Sequence, residues 1–229
     1  MKNKKIILAL DTKDLNFAVN IVKKVKDEIN SIKIGYEFFF NHGLSGYKKI
    51  YNICPNIFLD LKLHDIPNTV NAGLKAIANL KPKFTTIHIS GGDDMLKSAV
   101  SFRKKNTKIL GVSILTSLNS EQTKKYYNEH NTKNLVIKFV KQAKKNNLDG
   151  IICSPKEISF IRKQMDKNFI IVTPGVRLKG SIIKNDDQKR ILSPKEAMKL
   201  GANLLVIGRP ILKSKDPLNV IKKINASIK

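Results

Sequence analysis

Apolar residues occur along this chain in eight short runs, separated by longer stretches of mixed polarity. Each run has four to six residues and is rich in Ile, Leu and Val. Runs of this length and composition are typical of parallel strands that are buried on both faces. The strands predicted in this way are 6–10, 31–34, 57–61, 85–89, 109–114, 150–153, 169–172 and 204–207.

Between these runs, apolar residues recur at intervals of three and four, which is the period of an amphipathic helix. The clearest helices are predicted at 17–29, 70–80, 135–145 and 218–228. Repeated alternation of strand and helix indicates the α/β class, and eight such units predict a closed (β/α)8 TIM barrel. The 229 residues suit one barrel and contain no linker or low-complexity tract, so we expect a single domain over 1–229.

Polar side chains stand at or just after the carboxyl end of every predicted strand. In a parallel barrel these ends meet at one mouth, where the active sites of such barrels lie. We therefore expect one site built from these residues. They are Asp11, Lys33, Asp60 and Lys62, His88 and Ser90, Thr116, Ser154, 173–177, and Gly208 with Arg209.

The third strand and the residues after it have the most unusual sequence, Phe-Leu-Asp-Leu-Lys-Leu-His-Asp-Ile-Pro-Asn-Thr at 58–69. Alternation along a strand would place Asp60 and Lys62 on the same face, and Asp65 follows three residues later. Partly buried charges need a partner or shift their pKa, so this arrangement is costly if it serves stability alone. The alternative is an ion pair on an edge strand.

The end of this segment predicts a change from strand to helix. Pro67 lacks a backbone donor and restricts the residue before it, so the strand should stop there. Asn68 or Thr69 is then expected to cap the following helix.

The segment Asp-x-Lys-x-x-Asp-Ile-Pro-Asn-Thr, which begins at Asp60, strongly resembles the signature of the orotidine 5'-phosphate decarboxylases, in their short bacterial form. Each further segment of that family's pattern is short, but their joint order spans the whole chain. These segments are Ala9-Leu10-Asp11, Lys33-Ile34-Gly35, Leu115-Thr116-Ser117, Thr173-Pro174-Gly175-Val176-Arg177, Asp187-Gln188 and Gly208-Arg209.

The resemblance implies the last step of pyrimidine nucleotide synthesis, in which orotidine 5'-phosphate loses CO2 from C6 and becomes uridine 5'-phosphate (UMP). It implies no cofactor and no metal, so side chains must stabilise the charge that develops on carbon. Lys62 is implied to be the general acid that protonates C6. Asp60 and Asp65 would keep it charged, and Lys33 would join this network.

The resemblance also implies the contacts to the rest of the nucleotide. Asp11 and Lys33 would bind the ribose hydroxyls, and Thr116 would lie at the pyrimidine edge. Asp65 and Thr69 would reach the active site of a second subunit, so a homodimer is expected.

Phosphate binding is predicted after the eighth strand. Gly208 allows close approach of the backbone, and Arg209 offers a planar fork of donors that suits phosphate oxygens. Barrels of this kind often bind phosphate after strands seven and eight. The alternative is that Arg209 is a surface arginine before a helix.

The resemblance extends the phosphate site to two residues near the seventh strand, Arg177 and Gln188. Asp60 and Pro174 are also implied to contact the substrate. The polar stretch 180–189 is expected to form a mobile lid that closes over the phosphate and brings Gln188 to it.

The formal net charge of +25 raises the possibility of nucleic-acid binding. Only five of the 43 basic residues are Arg, and the lysines are scattered over most predicted helices. Scattered lysines are typical of solvated surfaces, so we expect no nucleic-acid partner, and the positive charge would at most help to attract an anionic substrate.

Two features of the sequence bear on the cellular compartment of the protein. Only Cys54 and Cys153 are present, which fits a reducing environment, and both are interpreted as small core residues. The apolar run at 6–10 is too short for a signal peptide or a membrane span. We expect a cytoplasmic protein without membrane contact.

Two rival functions stay open at this stage. A sugar-phosphate decarboxylase or aldolase on the same barrel also uses Asp-x-Lys-x-x-Asp, but with magnesium, and it typically has an acid in place of Lys33. A polyanion-binding protein without catalysis is supported by charge alone. His64 and His88 could serve in acid–base chemistry, although packing beside the site is the alternative.

Overall fold

The structure is a computed structural model that describes residues 4–101, 107–176 and 192–228. Eight parallel strands pair in chain order, and β1 closes the barrel by pairing with β8. The predicted TIM barrel is confirmed, and every predicted strand matches an observed one to within two residues at either end. The strands are β1 (Ile6–Ala9), β2 (Ser31–Ile34), β3 (Ile57–Leu63), β4 (Phe84–His88), β5 (Lys108–Val112), β6 (Gly150–Ile152), β7 (Ile170–Pro174) and β8 (Leu204–Ile207).

Helices connect the strands and cover the outside of the barrel. They are α1 (Leu15–Val25), α2 (Tyr36–Ile53), α3 (Pro67–Asn79), α4 (Gly92–Ser101), α5 (Ser120–Tyr127), α6 (Thr132–Lys145), α7 (Ile158–Gln164), α8 (Pro194–Lys199), α9 (Arg209–Leu212) and α10 (Pro217–Ser227). The first helix begins earlier than predicted because the Asp14 side chain accepts a hydrogen bond from the Phe17 backbone N–H at 2.9 Å. Within the described ranges, no helix is long and apolar enough to cross a membrane.

Two apolar layers hold the barrel together. The larger layer packs the outward faces of the strands against the helices, and the smaller fills the interior. The interior layer contains Ile7, Ala9, Phe58, Phe84, Leu110, Val172, Leu204 and Val206. Side chains alternate between the two faces of a strand, so the next inward position is always two residues further along.

This alternation explains where the site lies. Two residues beyond Ala9 comes Asp11, and two beyond Phe58 comes Asp60. The apolar filling of the barrel therefore stops near its carboxyl end, and charged side chains occupy the next inward positions. The site therefore lies where the inward-facing positions of the strands continue beyond the apolar interior of the barrel.

Candidate active site

Four charged side chains, on or just after three neighbouring strands, meet at the mouth of the barrel. Lys33 Nζ lies 3.1 Å from Asp11 Oδ1 and 3.7 Å from Asp60 Oδ2. Lys62 Nζ lies 2.9 Å from the same Asp60 oxygen. Negative and positive charges thus alternate from one contact to the next, in the order Asp11, Lys33, Asp60 and Lys62. The structure brings together these four residues, which the sequence predicted to lie at one mouth.

Asp60 is the buried centre of this network, with 7% of its surface exposed. Burial opposes ionisation of its carboxyl, but the Lys33 and Lys62 ammoniums outweigh burial and hold the pKa of Asp60 below its ordinary value. Hydrogen bonds from Lys62 and Thr86 act in the same direction. The carboxylate is therefore ionised at neutral pH and places a fixed negative charge beside both lysines.

The backbone at Lys62 departs from the regular strand that the sequence predicted. Its φ angle is +45°, a left-handed conformation that is uncommon outside glycine. Leu59 pairs with Thr85 but Leu63 pairs with Ile87, so four steps along β3 span two steps along β4. A bulge, and not simple alternation, therefore directs the Lys62 ammonium back towards Asp60.

Two residues at the start of α2 complete the surroundings of the lysines, and neither of them was predicted to have a role. A side chain at Gly35 would put Cβ 2.9 Å from Lys33 Nζ, so glycine leaves space for the ammonium. The Tyr36 ring centre lies 5.6 Å from Lys62 Nζ, within the range of a cation–π contact. Its hydroxyl donates to the Leu61 carbonyl at 3.1 Å.

Asp65 and Thr69 do not join the network within this chain. Both are exposed, and the Asp65 carboxylate accepts a hydrogen bond from the Ile66 backbone N–H at 2.7 Å. Among the ion pairs of the described residues, none links Asp65 to Lys62. The placement of Asp65 beside Lys62 of a second subunit stays a prediction.

The capping prediction for the next helix is wrong. Helix α3 already begins at Pro67, its N-cap is Ile66, and no side chain caps it. Proline suits the first position of a helix because its φ is fixed near the helical value and that position needs no N–H partner. Asn68 and Thr69 therefore lie inside the first turn.

The residues predicted to bind phosphate lie at the neighbouring strand ends, where the structure describes them. A Cβ at Gly208 would come within 3.2 Å of Ala9 Cβ and 3.7 Å of Asp11 Oδ2, so the backbone passes close to the network. Arg209 is exposed and opens α9, and Pro174 ends β7. The other predicted phosphate residues, Arg177 and Gln188, and the predicted lid at 180–189 lie outside the described residues.

Thr116 lies on the loop after β5 and is exposed. It lines a cavity of about 650 Å³ together with residues that follow β6, among them Ser154 and Glu157. A cavity of this size can hold a nucleotide-sized molecule. The position of Thr116 agrees with the predicted place at the mouth, but no described contact joins it to the charged network.

His64 and His88 stack on each other beside the network, with ring centres 5.1 Å apart. Burial, then the neighbouring His64 ring and the Lys62 ammonium, lower the pKa of His88 to about 4. A neutral imidazole is therefore the form at physiological pH. Within the described residues, no group of three or more His, Cys, Asp or Glu side chains is arranged to bind a metal ion.

The low pKa of His88 predicts a pH-dependent stability. The unfolded chain binds this proton near pH 6.5 and the folded chain only near pH 4, so the free energy of unfolding should fall as pH drops from 6.5 to 4. Partial exposure limits the effect to about 2 kcal/mol or less. Urea unfolding of the wild type and His88→Gln at several pH values measures it, and a difference between them that is constant with pH would contradict it.

Comparison with known proteins identifies relatives over nearly the whole chain. The family described as "Orotidine 5'-phosphate decarboxylase / HUMPS family" matches residues 4–224. An orotidine 5'-phosphate decarboxylase of Wolbachia sp. subsp. Brugia malayi (strain TRS) is 44% identical over 224 residues, which cover 97% of this chain and 98% of the relative. That of Ehrlichia canis (strain Jake) is 42% identical over 224 residues, with 97% of each chain covered.

Solved structures agree with the sequence relatives. The orotidine 5'-phosphate decarboxylase of Lactobacillus acidophilus superposes with a TM-score of 0.84 at 33% identity and 99% coverage of both chains. The orotidine 5'-monophosphate decarboxylase of Methanocaldococcus jannaschii, complexed with the inhibitor BMP, gives a TM-score of 0.79 at 25% identity and 99% coverage of both chains. With its barrel, its charged mouth and these relatives, the chain belongs to the orotidine 5'-phosphate decarboxylase family.

Proposed function

We propose that this protein is a cofactor-independent decarboxylase that converts orotidine 5'-phosphate into UMP and CO2. The observation that carries the proposal is the alternating network of Asp11, Lys33, Asp60 and Lys62 at the barrel mouth. Membership of the family supplies the reaction, and this network supplies charges of the kind that the reaction needs.

Lys62 acts as the proton donor in this proposal. When the bond between C6 and the carboxyl carbon breaks, CO2 leaves and the electron pair stays on C6. A nearby ammonium stabilises that charge and then transfers its proton to C6, which gives UMP and a neutral amine that is reprotonated from solvent. The contact with Asp60 at 2.9 Å supports this role because it holds the Lys62 ammonium in place at the mouth of the barrel.

Asp60 contributes in two ways in this mechanism. It orients the two lysines, and its negative charge would face the substrate carboxylate. Two such charges at 4 Å with an effective dielectric near 20 repel by about 4 kcal/mol. Total enzymatic lowering of a barrier is ~8 to 23 kcal/mol, so this repulsion is one term beside the preorganised lysines and the binding energy of the distant phosphate.

The rest of the nucleotide is assigned to the remaining mouth residues. In the proposal, Asp11 and Lys33 bind the ribose hydroxyls, and Thr116 lies at the pyrimidine edge. The short approach of Gly208 to Asp11 supports a phosphate site next to the ribose site. The phosphate would be bound by Gly208, Arg209, Arg177 and Gln188, with Pro174 at the same end of the barrel.

A homodimer with shared active sites is part of the proposal, with Asp65 and Thr69 of each subunit entering the site of the other. Two observations support it. Asp65 is exposed and makes no described ion pair with Lys62 of its own chain. Large apolar side chains near the mouth are also exposed, namely Tyr36 (48%), Phe40 (76%) and Ile66 (67%), as is common where a partner binds.

We further propose that residues 1–229 act as one catalytic domain in the cytoplasm, with a small-molecule substrate and without nucleic acid. The rival sugar-phosphate chemistry is disfavoured by Lys33, which stands where that group typically has an acid. Lys33 contacts both Asp11 and Asp60, so its charge is needed to keep two carboxylates close together.

The test is a decarboxylation assay with purified protein, orotidine 5'-phosphate and a metal chelator. We expect the substrate absorbance to fall and UMP to form at the same rate with and without chelator. Protein of the Lys62→Ala variant, purified in parallel, controls for contaminating host enzyme. Failure to form UMP would refute the proposed function, and loss of activity on chelation would favour the magnesium-dependent rival.

A further inference from the structure

The hydroxyl of Thr86 lies between two members of the charged network. It accepts a hydrogen bond from the Lys62 backbone N–H at 2.9 Å and donates one to Asp60 Oδ1, also at 2.9 Å. Thr86 is on β4, the strand next to β3, and its surface is completely buried. One hydroxyl thus touches the backbone of the proposed proton donor and the carboxylate that orients it.

The first of these hydrogen bonds explains how the bulge at Lys62 is held. The pairing between β3 and β4 is interrupted between Leu59 and Leu63, so the Lys62 N–H has no regular strand partner there. A left-handed conformation of a non-glycine residue costs about 1 to 3 kcal/mol and persists only where its surroundings fix it. The Thr86 oxygen takes the place of the missing carbonyl and fixes this backbone.

The second hydrogen bond fixes the orientation of the Asp60 carboxylate plane. A hydroxyl has one proton to donate, and Thr86 gives it to Oδ1. The other oxygen, Oδ2, is left to Lys33 at 3.7 Å and Lys62 at 2.9 Å. Rotation of the carboxylate plane by about 90° would break the Thr86 contact, so the hydroxyl holds the side chain in the orientation that serves both ammoniums.

We propose that Thr86 is a positioning residue of the active site, whose hydroxyl sets the geometry of Lys62 and Asp60 relative to each other. This inference rests on the proposed decarboxylase function, and it adds a residue to which neither the sequence motifs nor the resemblance assigned a role. Thr86 does not touch the substrate in this proposal. It acts through the two charged residues that do.

The neighbouring residue provides a matched control. Thr85 is also completely buried on β4, but its side chain points to the opposite face. Its hydroxyl has no hydrogen-bond partner among the described residues. Thr85→Val and Thr86→Val therefore make the same change in size and polarity, one residue apart, and only the second removes contacts to the network.

The experiment compares Thr86→Val, Thr86→Ser and Thr85→Val with wild type. We expect Thr86→Val to lower kcat by about 10- to 100-fold, because small displacements of reacting groups cost rates of this order. UMP should still bind to Thr86→Val within about threefold of wild type, since the phosphate and ribose contacts remain. Thr86→Ser, which keeps the hydroxyl, and Thr85→Val should both retain kcat within about threefold.

A pH profile separates positioning from a general loss of structure. The hydrogen bond from Thr86 helps to lower the pKa of Asp60, which also faces Lys33, Lys62 and His88. Without the hydroxyl, the pKa of Asp60 should rise. As the pH is lowered, kcat should therefore begin to fall at a higher pH in Thr86→Val than in wild type. This pH should stay unchanged in Thr86→Ser and in Thr85→Val.

The outcomes distinguish the inference from the function on which it rests. Wild-type protein that forms no UMP would refute the function and the positioning role together. Active wild type with an unchanged kcat in Thr86→Val would refute the positioning role alone, as would an equal loss in Thr85→Val. If Thr86→Val does not fold, Thr86→Cys replaces it, because a thiol is a weaker hydrogen-bond donor than a hydroxyl. A kcat of Thr86→Cys equal to that of Thr86→Ser would then overturn the proposal.

Discussion

Replacing Lys62 by alanine is expected to lower kcat for decarboxylation of orotidine 5'-phosphate by at least about 10,000-fold. Loss of a general acid typically costs about 100- to 10,000-fold, and loss of a charge aimed at the transition state costs about 100- to 1,000-fold. One side chain would supply both effects here. The loss should therefore exceed that from any other single substitution outside the network.

Binding of UMP should survive this substitution. The ammonium of Lys62 lies against Asp60 and above the Tyr36 ring, whereas the proposed phosphate and ribose contacts come from other strands. Removing the ammonium leaves the Asp60 carboxylate with Lys33 as a partner at 3.7 Å, so the site keeps part of its charge balance. We expect the dissociation constant for UMP to change by less than about tenfold.

The measurement combines single-turnover kinetics with calorimetric titration of UMP. Lys23→Ala is the matched control, because Lys23 is an exposed lysine on the outer helix α1 and its loss should leave kcat unchanged. Turnover of Lys62→Ala within tenfold of wild type would remove Lys62 from the role of proton donor. Loss of UMP binding together with turnover would point to a collapsed site instead.

We expect Lys62→Ala and Asp65→Ala each to be inactive alone and to recover activity when they are co-expressed. In a two-fold dimer with shared sites, each site combines Lys62 of one subunit with Asp65 of the other. A mixed dimer then has one site that carries both substitutions and one that carries neither. Random assembly makes half of the dimers mixed, so activity should reach about a quarter of wild type per subunit.

The control for this prediction pairs two substitutions within one subunit's own network. Lys62→Ala and Asp60→Asn affect residues whose side chains meet at 2.9 Å in the same chain, so every site of a mixed dimer carries one of them. That pair should stay inactive. Mass measurements would show whether mixed dimers of Lys62→Ala and Asp65→Ala form. If they form and activity does not recover, Asp65 is excluded from the neighbouring site. A fully active monomer would exclude shared active sites altogether.

Much of the site could be predicted because it follows the periodicity of the strands. Asp11 and Asp60 each stand two residues beyond an interior apolar side chain, and Lys33 lies near the end of its strand. In a closed parallel barrel, these positions must converge at one mouth. Strand periodicity and the short motifs were therefore enough to group the residues that the structure brings together.

Other features depend on contacts between residues distant in sequence. The bulge at Lys62 arises between β3 and β4, and the hydroxyl that holds it comes from Thr86, 26 positions after Asp60. A buried threonine in an apolar strand looks the same in sequence whether its hydroxyl is used or not, as Thr85 and Thr86 show. The early start of α3 at Pro67 was missed because a fixed φ replaced the expected side-chain cap.

The sequence by itself determined the barrel and the strand ends that carry the charges, because alternation along a strand and recurrence along a helix are local properties of the chain. Only the tertiary structure decided the distances within the network, the low pKa of Asp60 and of His88, and the contact between Lys62 and Asp60. These depend on how neighbouring strands pair and how deeply each group is buried, and no local pattern encodes either.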